Sequence, residues 1–123
     1  MKYDRAFDPP APVAELALRN HETDERMENV FALLDTGADI SLLPLHAIEK
    51  LQIKPSGEKV DLIGFDESKS AADVYYLQII FLGRKITGEY CSIDAETGIL
   101  GRDVLNEFSI IFDGVNLEWN KHT

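Results

Sequence analysis

The chain has 123 residues, of which 45% are hydrophobic and 28% are charged. This length and balance predict one folded domain rather than a disordered chain. The formal net charge of -10 argues against a nucleic-acid-binding protein, which needs clustered Lys and Arg to displace counterions, and against docking on anionic membranes. We therefore expect neither a nucleic-acid partner nor a membrane partner.

Cysteine and histidine usage limits the possible sites. Cys91 is the only cysteine, which excludes an internal disulfide and a cysteine-based zinc site. The three histidines lack ligand spacing, and we expect no metal and no cofactor. Residues 1–12 contain no apolar signal segment, and the most apolar stretch, residues 75–82, is too short to span a bilayer. A cytoplasmic location is the prediction.

The first part of the chain predicts an arm followed by two strands. Residues 1–12 contain three prolines, which prevent regular structure, and form the arm. The alternation in Val13–Arg19 is typical of a half-buried strand. Polar residues 20–29 predict a hairpin connection. Residues 30–34 are apolar on both faces and therefore predict a central strand.

The middle of the chain predicts a helix and a projecting hairpin. Pro44 suits a first helical position, and apolar residues at three-residue steps predict a short helix that ends before Pro55. Residues 60–65 and 74–82 predict two strands. The polar segment between them predicts a hairpin that projects from the body.

The last part predicts more strands and a second helix. Residues 86–93 predict a strand, and Val104, Leu105 and Phe108 share the apolar face of a predicted two-turn helix. Residues 109–119 predict a closing hairpin. With about seven or eight short strands and two short helices, the domain over residues 13–123 is predicted to be mainly β.

Asp35 stands in an unusual frame. An apolar run precedes Asp35, which lies in a predicted tight turn, and a second apolar run follows this turn. A carboxylate in such a frame is paired, strongly hydrogen-bonded or shifted in pKa, because burial of an isolated charge is costly. Asp-Thr-Gly alone is a weak signal, but the Ile99-Leu100-Gly101 segment followed by a short helix strengthens it.

The pair of motifs resembles a known family. Leu33-Leu34-Asp35-Thr36-Gly37-Ala38, followed by Ile99-Leu100-Gly101-Arg102-Asp103, is similar to the retropepsin-like aspartic peptidases, and the resemblance spans residues 13–119. It implies a closed β-barrel with two short helices and a flap hairpin at about residues 60–82. It also implies an aspartic endopeptidase, in which two aspartates activate a water molecule. The chain supplies one such residue, Asp35, so the resemblance implies a symmetric homodimer acting on peptide or protein substrates.

The resemblance also assigns roles around Asp35. Thr36 and Gly37 are expected to position the active site, Thr36 by a hydrogen bond across the dimer axis. Gly37 lets backbone amides approach the carboxylate without an intervening Cβ. An ordinary turn glycine is the alternative for Gly37.

Further residues take supporting or binding roles by the same resemblance. Ala38 and Asp39 are expected to contact substrate, and Gly101 and Arg102 to support the site. Asp39 and Arg102 correspond to a pair that the family often joins as an ion pair. Two unrelated surface charges are the alternative.

The flap tip departs from the glycine-rich tips of well-known viral members. Gly64, Phe65 and Asp66 are expected to contact substrate, and Glu67 follows them. An acidic tip predicts a preference for peptides with basic side chains.

Other interpretations stay open at this point. A retropepsin-like domain could serve as a peptide-binding or dimerisation module with little or no proteolysis, because a fold does not fix a function. A small β domain in which Asp35 only caps a turn is a third reading. Cys91 is expected to be buried, whereas Trp119 suits either the core or a dimer interface.

Overall fold

The structure, a computed structural model, describes residues 1–63 and 69–123. Over these residues it contains nine β-strands and two short α-helices. The strands are β1 (Val13–Arg19), β2 (Arg26–Leu34), β3 (Leu42–Pro44), β4 (Pro55–Ile63), β5 (Lys69–Phe81), β6 (Arg84–Ile93), β7 (Gly98–Leu100), β8 (Ile110–Asp113) and β9 (Glu118–Lys121), and the helices are α1 (Leu45–Lys50) and α2 (Arg102–Leu105).

Six strands close into a barrel. Seven strands follow the order β1-β2-β7-β3-β6-β5-β4, and β1 also pairs with β5. This additional pairing joins the first strand to the sixth and leaves β4 outside the ring. The 13 residues of β5 make both pairings possible, because Ile80 lies opposite Ala17 of β1 and Asp73 lies opposite Lys59 of β4. The predicted mainly β closed barrel is confirmed.

The barrel interior is filled by large apolar side chains from all parts of the chain. Trp119 is 1% exposed, its ring centroid lies 6.0 Å from that of Phe81, and its indole Nε1 donates to the carbonyl oxygen of Val13 over 3.2 Å. A buried indole with a satisfied N–H is stable in a core. Of the two alternatives for Trp119, the structure supports the core position. The prediction that Cys91 is buried is also confirmed.

Several element boundaries differ from the predictions. β2 begins at Arg26, within the stretch predicted as a polar connection, because its solvent-facing positions carry polar residues. β4 begins at Pro55 and is exposed along almost its whole length. The three-residue strands β3 and β7 are too short to show a period, and α2 has four residues rather than two turns. Neither helix in the described part of the chain has the length and apolarity to cross a membrane.

The N-terminal arm is more ordered than its prolines predict. Tyr3 N–H donates to the carbonyl oxygen of Leu117, and Trp119 N–H donates to that of Met1, both over 2.8 Å. Asp4 and Ala11 form a second bridge within the arm. The arm therefore lies along β9 as a further strand-like segment.

Gly98 is required by the contact between β7 and β3. A Cβ built on Gly98 would lie 2.5 Å from the carbonyl oxygen of Leu42 and 2.9 Å from Cδ of Pro44. We expect Gly98→Ala to lower the free energy of unfolding by about 2 kcal/mol, since backbone must move to admit the methyl group. Urea unfolding followed by tryptophan fluorescence measures this. Gly114→Ala is the control, because nothing lies within 4 Å of its Cβ position; equal stability of the two variants would contradict the prediction.

Tyr90 should make stability depend on alkaline pH. Burial, assisted by the carboxylates of Asp103 and Glu107, raises the pKa of Tyr90 to about 12. The unfolded phenol ionises near pH 10, so the folded state holds the proton more tightly, and this stabilisation is present below about pH 10 and is lost as pH rises towards 12. Tyr90→Phe should flatten the fall in unfolding free energy over this range. Tyr76→Phe, at an exposed position, should keep the wild-type slope, and identical slopes for all three proteins would refute the prediction.

Candidate active site

Asp35 follows β2 directly and lies beside the second motif. β2 and β7 are parallel neighbours, with Leu34 opposite Leu100. The pairing continues one residue further, because Asp35 N–H donates to the carbonyl oxygen of Leu100 over 3.0 Å. The two motifs singled out in the sequence are therefore adjacent in space, although more than sixty residues separate them along the chain.

The turn after β2 presents the Asp35 carboxylate to a backbone donor. Gly37 N–H donates to Oδ1 of Asp35 over 2.9 Å, and Ala38 N–H donates to the Asp35 carbonyl oxygen over 3.2 Å. A Cβ on residue 37 would lie 3.1 Å from the same Oδ1. Asp35 is partly buried, whereas Thr36 and Gly37 are exposed. The carboxylate is thus oriented by the turn and still open on one side.

The start of α2 holds this turn from below. Arg102 N–H donates to the carbonyl oxygen of Ala38 over 2.9 Å, and Arg102 Nη1 donates to that of Thr36 over 2.6 Å. Gly101 permits the approach, because a Cβ there would lie 2.7 Å from the carbonyl oxygen of Ile40. Gly101 and Arg102 thus contact the turn after Asp35, and their supporting role stays a prediction.

Hydrogen bonds from Ser41 to Asp103 form a second connection between the two motifs, and neither residue was predicted to belong to the site. Ser41 is fully buried; its Oγ donates to Oδ1 of Asp103 over 2.6 Å and accepts from Gly101 N–H over 3.0 Å. Ser41 N–H donates to the other carboxylate oxygen over 3.0 Å. The signal in the sequence is a single polar residue between Ile40 and Leu42, since a buried hydroxyl requires a partner.

The prediction of an ion pair between Asp39 and Arg102 is wrong. Both residues are described and exposed, and no ion pair joins them. The Arg102 guanidinium instead donates to the carbonyl oxygen of Thr36. The carboxylate that joins the two motifs is that of Asp103, which accepts from Ser41. At the first turn of α2, neighbouring side chains point in different directions, so Arg102 reaches the Asp35 turn while Asp103 reaches Ser41.

The surroundings of the turn are open and partly apolar. A shallow cavity of about 220 Å³ is lined by residues that include Thr36, Arg102, Phe108, Ile110 and Phe112. A second cavity of about 280 Å³ lies at the β1–β2 connection and the start of β4, and Asp35 does not line it. Over residues 1–63 and 69–123, no three His, Cys, Asp or Glu side chains cluster as metal ligands.

Three predicted substrate contacts have no structural test. Gly64, Phe65 and Asp66 lie outside the described residues, whereas Ala38 and Asp39 lie in the turn that follows Asp35.

Comparison with solved structures identifies similar folds. EIAV protease complexed with the inhibitor HBY-793 superposes with a TM-score of 0.58 and 26% identity over 79% of this chain and 86% of that chain. Simian foamy virus (mac) protease gives a TM-score of 0.55 and 19% identity over 77% of this chain and 92% of that chain. A foamy viral protease-reverse transcriptase in complex with an RNA/DNA hybrid gives 0.56 and 21% identity, with 80% of this chain matching 12% of that chain.

No family model matches the sequence, and no curated protein matches it significantly. The likeness to these proteases agrees with the topology of the chain, a closed barrel in which β2 and β7 are parallel neighbours. On this basis, the chain has a retropepsin-like protease fold.

Proposed function

We propose that the protein is an aspartic endopeptidase that works as a symmetric homodimer. The observation that carries the proposal is the turn at Asp35, in which a partly open carboxylate accepts the Gly37 N–H and is held against the second motif. A carboxylate that only capped a turn would need neither the Arg102 contacts nor the hydrogen bonds from Ser41 to Asp103.

The proposed reaction uses two carboxylates with one shared proton. At a separation of about 3 Å, two carboxylates cannot both ionise, so one stays protonated. The ionised group removes a proton from water, and the water oxygen attacks the scissile carbonyl carbon. The protonated group meanwhile donates a hydrogen bond to the carbonyl oxygen. Collapse of the tetrahedral intermediate breaks the C–N bond, and the leaving nitrogen takes the proton that the first carboxylate removed from water.

The second carboxylate would come from a second copy. The sequence contains one Asp-Thr-Gly and no Asp-Ser-Gly, and two-fold symmetry brings the same residue to both sides of an axis. Thr36, next to Asp35 and exposed, is proposed to bond across that axis. The substrate is proposed to be an extended peptide under the flap hairpin, and the cytoplasmic location stays a prediction.

Asp35→Asn should abolish peptide hydrolysis. An amide cannot act as a general base, and we expect kcat to fall by about 10²–10⁴-fold or more. Hydrolysis of a degenerate peptide mixture between about pH 4 and 7, followed by mass spectrometry, measures this. Asp94→Asn, the same chemical change on an exposed loop, should retain full activity.

The outcome also separates the enzyme from a binding module. Cleavage that survives Asp35→Asn would exclude the aspartic mechanism. Tight peptide binding without cleavage by the wild-type protein would instead favour the peptide-binding module.

Ser41→Ala should weaken both the fold and the reaction. Loss of the hydroxyl leaves Gly101 N–H without its acceptor and removes one bond to Asp103. We expect about 1–3 kcal/mol lower unfolding free energy and a lower kcat, with KM changed less, because the turn is positioned less well. Urea unfolding and steady-state kinetics measure the two effects.

Ser92→Ala is the matched control for Ser41→Ala. Ser92 is partly exposed on β6, and its hydroxyl makes no hydrogen bond within the described part of the chain. The control should behave as wild type in both measurements. An active, fully stable Ser41→Ala protein would show that this connection does not position Asp35.

A further inference from the structure

The cavity of about 280 Å³ lies between two walls that the proposed reaction does not use. The first wall belongs to the β1–β2 connection, and the second runs from the end of α1 into the start of β4. Tyr76 of β5 lies beside both. Pockets of about 300–1,000 Å³ hold drug-sized ligands, so this cavity suits a smaller molecule.

The first wall is fixed by hydrogen bonds around Asn20. Asn20 N–H donates to the carbonyl oxygen of Glu25 over 2.9 Å, and Asp24 N–H donates to that of Asn20 over 2.8 Å. The side chain of Asn20 is buried; its Nδ2 donates to the carbonyl oxygen of Leu51 over 3.0 Å, and its Oδ1 accepts from Glu22 N–H over 3.0 Å. Asn20 therefore joins the two walls and holds the backbone of Glu22 beside the cavity.

The second wall is fixed by the end of α1. Gln52 has a left-handed backbone with φ 56°, and Ile53 N–H donates to the carbonyl oxygen of Ile48 over 3.2 Å. Helices often end in this way on a left-handed residue, which satisfies their last carbonyl groups. The Ile53 side chain is buried in the core. The segment that carries Lys54 is thus held in place without a ligand.

The two walls carry opposite charges. The Glu22 carboxylate belongs to the first wall and the Lys54 ammonium group to the second, and both residues are exposed. Within residues 1–63 and 69–123, neither side chain forms an ion pair. The cavity therefore offers one anion and one cation to a ligand.

Aromatic and aliphatic groups complete the lining. The ring centroids of His21 and Tyr76 lie 4.7 Å apart, and the ring planes are nearly perpendicular at 88°. Ile53 and Pro55 add aliphatic surface. An edge-to-face pair of rings presents apolar surface with a fixed geometry. The cavity can thus hold an apolar group as well as two opposite charges.

We propose that this cavity binds a free α-amino acid with an apolar side chain. The ligand's ammonium group pairs with Glu22, and its carboxylate pairs with Lys54. Its side chain packs against the rings of His21 and Tyr76. A ligand with a single charge leaves one wall charge unpaired, whereas a zwitterion satisfies both. The inference goes beyond the proposed function, because Asp35 takes no part in it.

Titration of the isotope-labelled protein with L-phenylalanine tests the proposal by nuclear magnetic resonance. For so small a ligand with two solvated charge pairs, we expect a dissociation constant of about 1 mM. The amide signals of residues 20–22 and 52–54 should move and reach saturation. Signals of these residues that stay unmoved at about ten times this concentration would overturn the proposal.

Two analogues that each lack one charge test the zwitterion. L-Phenylalaninamide lacks the carboxylate, and hydrocinnamate lacks the ammonium group. Each should bind about fivefold more weakly than L-phenylalanine, because each loses one charge pair. Equal affinity for all three would mean that the cavity recognises only the ring, and the proposal would be wrong.

Charge variants assign each pair to a residue. Lys54→Gln should weaken L-phenylalanine binding about fivefold without weakening that of L-phenylalaninamide, which has no carboxylate to pair. Glu22→Gln should weaken L-phenylalanine binding to the same extent without weakening that of hydrocinnamate. A variant that loses affinity for all three ligands alike would contradict the assigned pairs.

Lys85→Gln is the matched control for Lys54→Gln. Lys85 is exposed on β6 and does not line the cavity, and the variant undergoes the same change in net charge. It should bind all three ligands as wild type does. A fall in affinity equal to that of Lys54→Gln would assign the effect to net charge and overturn the ionic contact. None of these measurements requires peptide hydrolysis, so they stand or fall separately from the proposed function.

Discussion

The candidate site depends on the hydrogen bonds that join the turn after β2 to the start of α2. Asp35 N–H donates to the carbonyl oxygen of Leu100, and Arg102 donates to those of Thr36 and Ala38. The Ser41 hydroxyl donates to the carboxylate of Asp103. Each of these bonds links segments more than sixty residues apart, so each becomes possible only when β2 and β7 lie side by side. The barrel thus fixes the conformation of the Asp35-Thr36-Gly37 turn. Sites held on such a rigid frame keep the geometry that catalysis needs.

The sequence predicts those parts of the fold whose causes are local. Alternation in β1, the apolar run at the end of β2 and the proline-led α1 each follow from a short stretch of residues. The strands β3 and β7 could not be found in this way, because three residues show no period and their positions are set by partners distant in sequence. The closed barrel was implied by the family resemblance. Its closure depends on the β1–β5 pairing, which no local pattern indicates.

The site was predicted in its residue types better than in its contacts. Asp35, Gly101 and Arg102 lie together, but Asp39 was predicted as the partner of Arg102. The Arg102 guanidinium instead donates to the carbonyl oxygen of Thr36, and Asp103 accepts from Ser41. The sequence places Asp39 and Asp103 in the two motifs and does not show which carboxylate joins them. Burial of Ser41 decides this, because its buried hydroxyl and N–H need acceptors, and both donate to the carboxylate of Asp103.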